Sequence, residues 1–366
     1  MHSPQEALSS LEEKGLLRSL RQISSPSPPK VVINDHELIN FSSNDYLGLS
    51  QHPALVEAAS KAIRDYGTGS TASRLVCGSL DLFHRLEEQI ASGKKTEAAL
   101  TFANGYATAM GTIPALVGKN DTIILDKLAH ACLIDAAKLS GATLRIFPHN
   151  DLNKLAKLLN SSKGRTLIVT ESVFSMDGDL CPLADIVSLK EKYGALLLLD
   201  EAHSVGVLGP NGHGLAEELG LQEKIDFQMG TMGKALGSAG GYLAASRAWI
   251  DLLINKARSF IYSTAPPPAQ AAASLAALKI LVSPEGAEKR RTLLSLCRLF
   301  DSPTPIVPRI IGENDEAIAA SSNLFKKGFL VPAIRYPTVP RGTARLRITL
   351  SSSHTIPQVS ELLKAL

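Results

Sequence analysis

Short apolar runs alternate with amphipathic segments through the middle of the chain, from about residue 98 to residue 244. The clearest amphipathic segment has Pro182 in its first turn and Gly194 after its end, as expected for a helix. Apolar runs and helices that alternate at this spacing predict an α/β fold, with a parallel sheet covered by helices on both faces. The predicted strands are Ala98–Phe102, Thr122–Leu125, Thr143–Phe147, Leu167–Thr170, Ala195–Leu199 and Gly241–Ala244.

The beginning of the chain has a different pattern. Residues 1–22 place leucines near one helical face, which predicts an amphipathic helix. The serine- and proline-rich stretch Ser24–Pro29 cannot continue a helix and is interpreted as a linker. Residues 31–39 then predict a small β-hairpin, so this first part is expected to be an arm too small to fold by itself. The leucines on the helical face are Leu8, Leu11, Leu16 and Leu20.

Polar residues follow four of the predicted strands, at the point where each strand ends. Ligands of open α/β sheets bind at the carboxyl ends of the strands, so these segments are the first place to look for chemistry. The first segment opens a helix of small residues, whose free N–H groups and dipole would hold a phosphate. One histidine by itself is more often structural than catalytic, but four such segments at one edge are difficult to explain by packing. The segments are Ala103–Ala107, Asp126–His130, Glu171–Gly178 and Asp200–His203.

A glycine-rich stretch, Asp226–Gly241, contains one lysine, Lys234. Its glycines allow the backbone to approach a ligand closely and to adopt positive φ angles. Because Met232, Ala235 and Leu236 are apolar, we expect Lys234 to be partly desolvated, with a lowered pKa and a neutral amine that can form a Schiff base. A single lysine is more commonly a solvated loop residue, so this interpretation depends on partners elsewhere in the chain.

Two nucleotide-binding motifs are approximated here and are rejected. A P-loop needs Ser or Thr after its lysine and a glycine five residues before Gly233, whereas Ala235 and Gln228 occupy those positions. Asp200–His203 spells the DEAH box of helicases, which would require a P-loop upstream and a basic surface.

The bulk composition is that of an ordinary globular protein, with 45% apolar and 20% charged residues among 366. A net charge of +3 is too small to indicate nucleic acid or a membrane as the main partner. The four cysteines form no C-x-x-C pair, so reduced thiols are expected rather than disulfides or a zinc site. With neither a signal-like apolar segment nor a membrane-length run, a cytoplasmic protein is expected.

Together these segments resemble the α-oxoamine synthases, a family of pyridoxal-phosphate enzymes, over about Leu17 to His354. The resemblance implies the fold type I architecture of PLP-dependent transferases, with a mostly parallel seven-stranded sheet and helices on both faces. It also implies an N-terminal arm (1–45), a large cofactor-binding domain (46–283) and a small α+β C-terminal domain (284–366). The runs that carry it are NFSSNDYLGLS (40–50), GTGSTASRLVCG (67–78), ESVFSMDGD (171–179), DEAHSVGVLG (200–209), IYSTAPPPAQ (261–270) and AIRYPTVPRGTARLRITLSSSH (333–354).

The resemblance implies roles for four catalytic residues. Lys234 matches the lysine that forms a Schiff base with pyridoxal 5′-phosphate, and Asp200 matches the acid that pairs with the pyridine nitrogen of this cofactor. His130 matches the histidine that stacks on the cofactor ring and contacts the substrate. His203, together with Ser175, matches groups near the ring hydroxyl.

Other cofactor contacts are implied in the same way. Gly105, Tyr106 and Thr231 match residues that bind the cofactor phosphate. Ser263 and Thr264 match a segment that reaches the phosphate in a neighbouring subunit, which implies a homodimer with active sites at the interface.

Residues 344–351 alternate between apolar and polar types, which predicts a strand that presents Arg347 beside hydroxyl groups. An edge strand with surface arginines would have the same pattern. The resemblance implies that Arg347 grips the carboxylate of the amino-acid substrate, through a bidentate pair worth roughly 1.5–3 kcal/mol. It also implies substrate contacts for Ser351, Asn44 and Arg18.

The implied activity is a decarboxylative condensation of L-alanine with a pimeloyl thioester, as in the branch of the family that serves biotin synthesis. The acyl group could be carried by coenzyme A or by a carrier protein. Alternatives are a glycine-using relative of the 2-amino-3-ketobutyrate ligase or 5-aminolevulinate synthase type, or a non-catalytic partner subunit, which would lack the lysine. Small molecules, rather than nucleic acid or membranes, are the expected partners.

Overall fold

The computed structural model describes residues 3–26 and 29–366, which pack into two compact units. The division into an arm (1–45), a large domain (46–283) and a small domain (284–366) stays a prediction. One of the two compact units contains most of the predicted arm and most of the predicted small domain. We call the two units the terminal unit and the sheet unit. The terminal unit comprises the residues up to Gly48, Met176–Gly178 and Leu293–Leu366, and the sheet unit comprises Leu49–Ser175 and Asp179–Thr292.

Strands and helices are numbered in chain order. The strands are β1 (Lys30–Ile33), β2 (His36–Asn40), β3 (Ala98–Phe102), β4 (Thr122–Asp126), β5 (Thr143–Phe147), β6 (Thr166–Glu171), β7 (Leu196–Asp200), β8 (Phe227–Thr231), β9 (Gly241–Ala245), β10 (Ile306–Gly312), β11 (Phe329–Leu330), β12 (Ala333–Ile334) and β13 (Ala344–Thr349). The helices are α1 (Pro4–Glu13), α2 (Pro53–Tyr66), α3 (Asp81–Lys94), α4 (Gly105–Leu116), α5 (Ala131–Leu139), α6 (Leu152–Asn160), α7 (Leu183–Tyr193), α8 (Leu215–Glu218), α9 (Arg247–Lys256), α10 (Arg258–Ile261), α11 (Pro268–Leu281), α12 (Pro284–Arg298), α13 (Asn314–Lys326) and α14 (Ile356–Ala365).

The sheet unit is built on a seven-stranded sheet with the strand order β3-β9-β8-β7-β6-β4-β5. Strand β9 runs antiparallel to both of its neighbours, and the other neighbouring pairs are parallel. The six strands predicted from apolar runs are all present, and their ends lie within one residue of the predicted positions. The expected mostly parallel α/β sheet is therefore confirmed.

Helices cover both faces of this sheet, as neighbouring residues of β4 demonstrate. Ile123 belongs to an apolar cluster that includes residues of α4, α5 and α9, whereas Ile124 belongs to a second cluster with α6 and α7. Both isoleucines are fully buried. Because both faces are covered, the inner strands β4, β6 and β7 are largely apolar at successive positions. The edge strand β5 alternates and is only partly buried.

Strand β8 was not predicted, because its sequence FQMGT has few apolar residues and lies in the glycine-rich stretch. Its polar Gln228 is completely buried and is accommodated by two hydrogen bonds. The side-chain amide donates to the backbone carbonyls of Lys94 and Gln222, each at 2.9 Å. A buried polar residue with satisfied donors is compatible with a central strand.

The terminal unit contains two three-stranded sheets, β1-β2-β11 and β10-β13-β12. The predicted hairpin is confirmed, and its turn residues Asn34 and Asp35 have φ angles of 48° and 61°, as a tight two-residue hairpin requires. The predicted strand near the end of the chain is also present as β13. It is the central strand of its sheet and all of its residues are buried, which excludes an exposed edge strand.

The first helix is shorter than predicted. A helix over residues 1–22 was expected, but α1 ends at Glu13, and Gly15 has a φ of 62° just beyond it. A glycine in this left-handed conformation commonly ends a helix, because it bears no side chain that opposes the turn. The chain after Gly15 is irregular, and Leu20 is fully exposed. Part of the predicted linker Ser24–Pro29 lies outside the described residues.

No helix described above combines the length and the apolar character needed to cross a membrane.

A buried ion pair anchors the chain just beyond β7. The Lys94 ammonium lies 2.5 Å from the Glu201 carboxylate, and the two side chains are 2% and 0% exposed. Lys94 also donates to the His213 carbonyl at 2.6 Å, and Glu201 accepts the Ala216 N–H at 3.0 Å. Burial disfavours the charged form of Lys94, but Glu201 and, after it, Tyr242 together outweigh this effect and raise the pKa of Lys94. The pair therefore holds the turn that follows Asp200.

Replacing Lys94 with methionine should destabilise the protein by about 3–5 kcal/mol, because Glu201 would remain buried without its counter-charge. The double variant Lys94→Met/Glu201→Gln should recover part of this loss, since it removes the uncompensated charge and retains an acceptor for Ala216. Denaturant-induced unfolding measures both changes.

The matched control is Lys61→Met, which removes one partner of the exposed Lys61–Asp65 pair on α2. This change should cost less than about 1 kcal/mol. Equal effects of Lys94→Met and Lys61→Met would contradict the assigned role of the buried pair.

Candidate active site

The carboxyl ends of the parallel strands border a cavity of about 190 Å³ in the sheet unit. This volume is smaller than the roughly 300–1,000 Å³ of pockets for drug-sized ligands, so the cavity suits one small molecule. Seven residues predicted from the sequence line it, namely Gly105, Tyr106, His130, Asp200, His203, Thr231 and Lys234. The other lining residues are Cys132, Glu171, Ala202, Met229 and Gly230.

Lys234 lies on the loop 232–240, which joins the antiparallel neighbours β8 and β9. The Thr231 hydroxyl donates to the Gly240 carbonyl at 2.7 Å and so closes the base of this loop. Gly237 has a φ of 59°, and a Cβ atom there would lie 2.4 Å from the backbone nitrogen of Ser50. Another residue at this position would be both strained and obstructed, so glycine is needed to hold the loop in this shape.

The amine of Lys234 contacts His203 at the cavity wall, with 2.7 Å between Nζ and Nε2. When Lys234 is protonated it donates and Nε2 accepts, so the proton of a neutral His203 resides on Nδ1. Asp200 is 5% exposed, and its Oδ1 accepts the Ala202 N–H at 2.9 Å. Burial raises the pKa of Asp200, and the charge of Lys234 opposes that shift. A second cation beside Asp200 would therefore be bound favourably.

His130 is held by its own helix. It is the N-cap of α5, and its Nδ1 accepts the Cys132 N–H at 3.2 Å. Because Nδ1 accepts, the proton of the neutral ring resides on Nε2. Desolvation by the surrounding protein lowers the pKa of His130, and the nearby charge of Asp200 only partly opposes this effect. The ring is therefore neutral near pH 7 and retains one donor.

The amino end of α4 forms another part of the wall. Asn104 caps the helix by accepting the Ala107 N–H at 2.8 Å, and Gly105 and Tyr106 follow as its first residues. The first N–H groups of a helix have no acceptor inside the helix and carry the positive end of its dipole. This wall therefore suits an anionic group such as a phosphate.

Glu171 was not predicted as a site residue, although it lies within the ESVFSMDGD run and follows the apolar part of β6 directly. It is 2% exposed and borders the cavity. Its Oε1 accepts the backbone N–H of His130 at 2.5 Å. Its position at a strand end was the signal that could have identified it, because that rule also selected Asp200.

A charged triad holds the segment after β6. His149 lies between two carboxylates, with Nδ1 3.1 Å from Asp126 Oδ1 and Nε2 2.7 Å from Asp179 Oδ2. Burial lowers the pKa of His149, but the hydrogen bonds and charges of both aspartates outweigh it and raise the pKa to about 10. His149 is therefore cationic near pH 7 and ties the strand end at Asp126 to the segment that contains Asp179.

Arg347 lies in the terminal unit and is 5% exposed. Both of its terminal nitrogens lie 3.2 Å from Asn44 Oδ1, and Nη1 also donates to the Thr349 hydroxyl at 2.9 Å. Burial raises the pKa of nearby Tyr46 to about 12, although the charge of Arg347 lowers it in part. Two of the five predicted substrate contacts, Arg347 and Asn44, are thus adjacent in this unit.

The predicted substrate contacts Ser351 and Arg18 have different surroundings, whereas His130 lines the cavity. The Ser351 hydroxyl is buried and donates to the Asp45 carbonyl at 2.8 Å, so its donor is already engaged. Arg18 is exposed and donates to the Thr338 hydroxyl at 3.3 Å. A substrate role for either residue stays a prediction.

Three predicted cofactor contacts are not among the described residues that border the cavity. Ser175 is buried, and it follows β6 after a short segment. Ser263 and Thr264 follow α10, where Thr264 is exposed and forms an isolated bridge with Ser73.

Across residues 3–26 and 29–366, no group of three or more His, Cys, Asp or Glu side chains could hold a metal ion.

The sheet and the cavity define an α/β enzyme whose site joins a lysine amine, two buried carboxyl groups and a helix N-terminus. The chain belongs to the aminotransferase class I and II family, whose model matches residues 36–366.

Relatives and solved structures give a finer comparison. The chain is 50% identical to the 8-amino-7-oxononanoate synthase of Geobacter sulfurreducens, over 95% of this chain and 92% of the relative. A solved 8-amino-7-oxononanoate synthase from Francisella tularensis is 30% identical, with a TM-score of 0.78 over 90% of this chain and 96% of that chain. A serine palmitoyltransferase variant from S. paucimobilis with a bound PLP–myriocin aldimine is 28% identical, with a TM-score of 0.93 over 98% and 94%.

These comparisons confirm the predicted family resemblance and the fold type. The predictions of an enzyme and of pyridoxal phosphate as its cofactor are confirmed at the level of the family.

Proposed function

We propose that the chain is an acyltransferase that uses pyridoxal 5′-phosphate to condense L-alanine with a pimeloyl thioester. The products are 8-amino-7-oxononanoate, carbon dioxide and the free thiol carrier, in biotin biosynthesis. The observation that carries this proposal is the Lys234 amine 2.7 Å from His203, in a cavity that also contains the buried Asp200. The 50% identity to 8-amino-7-oxononanoate synthase supports this choice of reaction within the family.

The residues of the cavity fit the cofactor. Asp200 is a buried carboxyl whose raised pKa reports the lack of a sufficient counter-charge, and a protonated pyridine nitrogen would supply one. The N–H groups of Gly105 and Tyr106 suit the phosphate, and Lys234 is the amine for covalent attachment. When bound, pyridoxal phosphate supplies an electron sink that stabilises negative charge on the α-carbon of the amino acid.

The side chains divide the proton transfers among them. The free amine of Lys234 would take the α-proton of the amino acid, and His203 holds this amine in place by the 2.7 Å contact. His130 presents one neutral N–H donor, which suits the carbonyl oxygen of the incoming thioester. The acyl group then bonds to the α-carbon as the thiolate leaves. Loss of the carboxylate as carbon dioxide leaves the bonding electron pair on the α-carbon, and the proton held by Lys234 returns there, while the thiolate takes a proton from solvent.

Arg347 is proposed to bind the carboxylate of the amino acid. Its guanidinium is held by Asn44 and Thr349, which fix its plane for a bidentate contact. Arg18 and Ser351 are kept as proposed substrate contacts on the family resemblance.

A glycine-using enzyme of the same family is the second candidate for this site. Relatives at 44–50% identity bear the name 8-amino-7-oxononanoate synthase, one of them as putative, and this name supports the proposed use of alanine by this chain. A non-catalytic subunit is disfavoured, because Lys234 is present and contacts His203. Coenzyme A and a carrier protein both remain candidate acyl carriers, and a cytoplasmic location stays a prediction.

A homodimer is proposed as the working form. Exposed apolar side chains flank the segment that contains Ser263 and Thr264, with Tyr262 71% exposed. Val76 is 78% exposed and lies close in sequence to Ser73, which bridges to Thr264. Large exposed apolar residues concentrated near one segment are typical of a protein–protein interface.

Lys234→Ala should abolish covalent attachment of the cofactor while preserving the fold, because the amine that bonds the cofactor is removed. Borohydride reduction of the holoenzyme followed by peptide mapping should find the cofactor on Lys234. Lys127→Ala, which removes an exposed lysine after β4, is the control and should leave the labelling unchanged. Label on any other lysine would refute the assignment.

The enzyme should prefer L-alanine to glycine by at least about tenfold in kcat/KM, because one methyl group in a fitted pocket is worth roughly 1–3 kcal/mol. Steady-state assays with pimeloyl-CoA, and then with acetyl- and succinyl-CoA, measure this preference. A preference for glycine with a short acyl donor would retain the family and reject the proposed substrates.

Arg347→Ala should reduce kcat/KM for both amino acids alike, by about 10- to 100-fold, since both present the same carboxylate. Arg309→Ala removes an exposed arginine of β10 in the same sheet and should have little effect.

Tyr262→Glu should shift the protein from dimer towards monomer and lower its activity, because a buried charge at an interface is costly. Sedimentation velocity measures the change. The control is Ile356→Glu, since Ile356 is 61% exposed at the start of α14 in the terminal unit. If the wild-type protein were a monomer with full activity, an active site shared between two subunits would be excluded.

A further inference from the structure

Glu171 is a buried carboxyl group of the cavity for which the proposed reaction has no role. It is the last residue of β6, and its register partner on β7 is Asp200. Both side chains lie at the same sheet edge and both border the cavity. Glu171 is 2% exposed and Asp200 is 5% exposed, so neither carboxyl group has water as its main partner.

The hydrogen bond of Glu171 reaches the residue at the start of α5. Its Oε1 accepts the backbone N–H of His130 at 2.5 Å. The ring of His130 is held separately, through Nδ1 and the Cys132 N–H. Glu171 therefore restrains the backbone of His130 while Cys132 sets the direction of the ring. The two contacts together determine where the Nε2 donor lies.

Two buried carboxylates on adjacent strands repel each other, and such pairs usually share one negative charge. The groups that face Glu171 are Asp200 from β7, Lys234 from the loop after β8, His130 from the start of α5 and Asp126 from β4. Cys132 of α5 is also near.

The influences on the pKa differ between Glu171 and Asp200. Burial and the charge of Asp200 raise the pKa of Glu171 well above its usual value, although Lys234 and the His130 N–H oppose this. For Glu171 the influence next to burial is the charge of Asp200, which adds to the rise in pKa, whereas for Asp200 it is the charge of Lys234, which opposes the rise. The negative charge is therefore favoured on Asp200 and the proton on Glu171.

We propose that Glu171 is a positioning residue that fixes His130 in the cavity through the backbone N–H, and that it does so as an uncharged carboxylic acid. This inference rests on the proposed function for the role of His130. An uncharged acceptor holds the histidine without placing a second negative charge beside Asp200. The charge that pairs with the cofactor ring thus stays on one residue.

Two substitutions of Glu171 separate the need for a hydrogen-bond acceptor from any need for a negative charge. Glu171→Ala removes the acceptor, so kcat should fall by about 100-fold through misplacement of His130, with little change in the KM for the amino acid. Glu171→Gln keeps a neutral acceptor and should recover at least about tenfold of that loss. Equal activity of wild type and Glu171→Ala would overturn the proposal, as would equal losses in the two variants.

The protonation state is measured without turnover, by infrared difference spectroscopy of the holoenzyme near pH 7. Wild type should show the carbonyl stretch of a protonated carboxylic acid, and Glu171→Gln should lack it. Glu88→Gln, which removes an exposed carboxyl of α3, is the control and should retain the band. Absence of the band from wild type would refute the uncharged state.

Stability as a function of pH is a second test that is independent of substrate. Folding raises the pKa of Glu171 above the value of 4.5 in the unfolded chain, so the folded protein binds more protons. The contribution of Glu171 to stability then falls as pH rises above 4.5, until Glu171 ionises in the folded protein. Glu171→Gln lacks this loss, so its stability relative to wild type should increase from pH 4.5 to neutral pH. If the difference in unfolding free energy between the two proteins stayed constant over this range, the proposal would be contradicted.

These readouts also separate this proposal from the proposed function. If wild type bound the cofactor but did not condense alanine with pimeloyl-CoA, the infrared band and the pH dependence would still decide the state of Glu171.

Discussion

The site depends on holding buried negative charge at one edge of a parallel sheet. Parallel strands bring their carboxyl ends together, and here that edge collects Asp200, Glu201 and Glu171, each less than 6% exposed. A buried carboxylate is tolerated where a cation or a set of N–H donors compensates it. Lys94 compensates Glu201, Lys234 compensates Asp200 in part, and Glu171 retains its proton. The geometry of the cavity follows from how these three acids are satisfied.

Much of the sheet could be predicted because its signal is local. Five of the six predicted strands are largely apolar at successive positions and are bounded by turn residues, which is sufficient to identify a strand buried on both faces. The sixth, the edge strand β5, alternates and is only partly buried. The strand-end rule then groups Gly105, His130, Asp200 and His203 from the sequence alone, because the topology of a parallel sheet places those ends at one edge. Lys234 was identified from the glycines that surround it.

The parts of the fold and of the site that were not predicted depend on interactions that the sequence pattern does not show. Strand β8 contains a buried glutamine, Gln228. It is tolerated in the core because its side-chain amide donates hydrogen bonds to the carbonyls of Lys94 and Gln222. The first helix stops at a glycine although its leucine pattern continues, since one left-handed residue outweighs the periodicity. The strand-end position of Glu171 was visible in the sequence, but its pairing with Asp200 was not, because strand register is a property of the folded sheet. The alternation in β13 was recognised, but the burial of both of its faces was not.

The antiparallel direction of β9 determines how Lys234 is tethered. Because β8 and β9 are adjacent and opposed, the lysine lies on a short hairpin loop whose two ends are fixed in the sheet. A side chain attached to so short a loop cannot diffuse away. Its effective concentration at a neighbouring atom is therefore far higher than the concentration of a free amine in solution. An amine displaced from a covalent bond in this cavity would remain within reach of the atoms it has just left. One nitrogen can thus act first as an attachment point and next as a base, without a base from solvent.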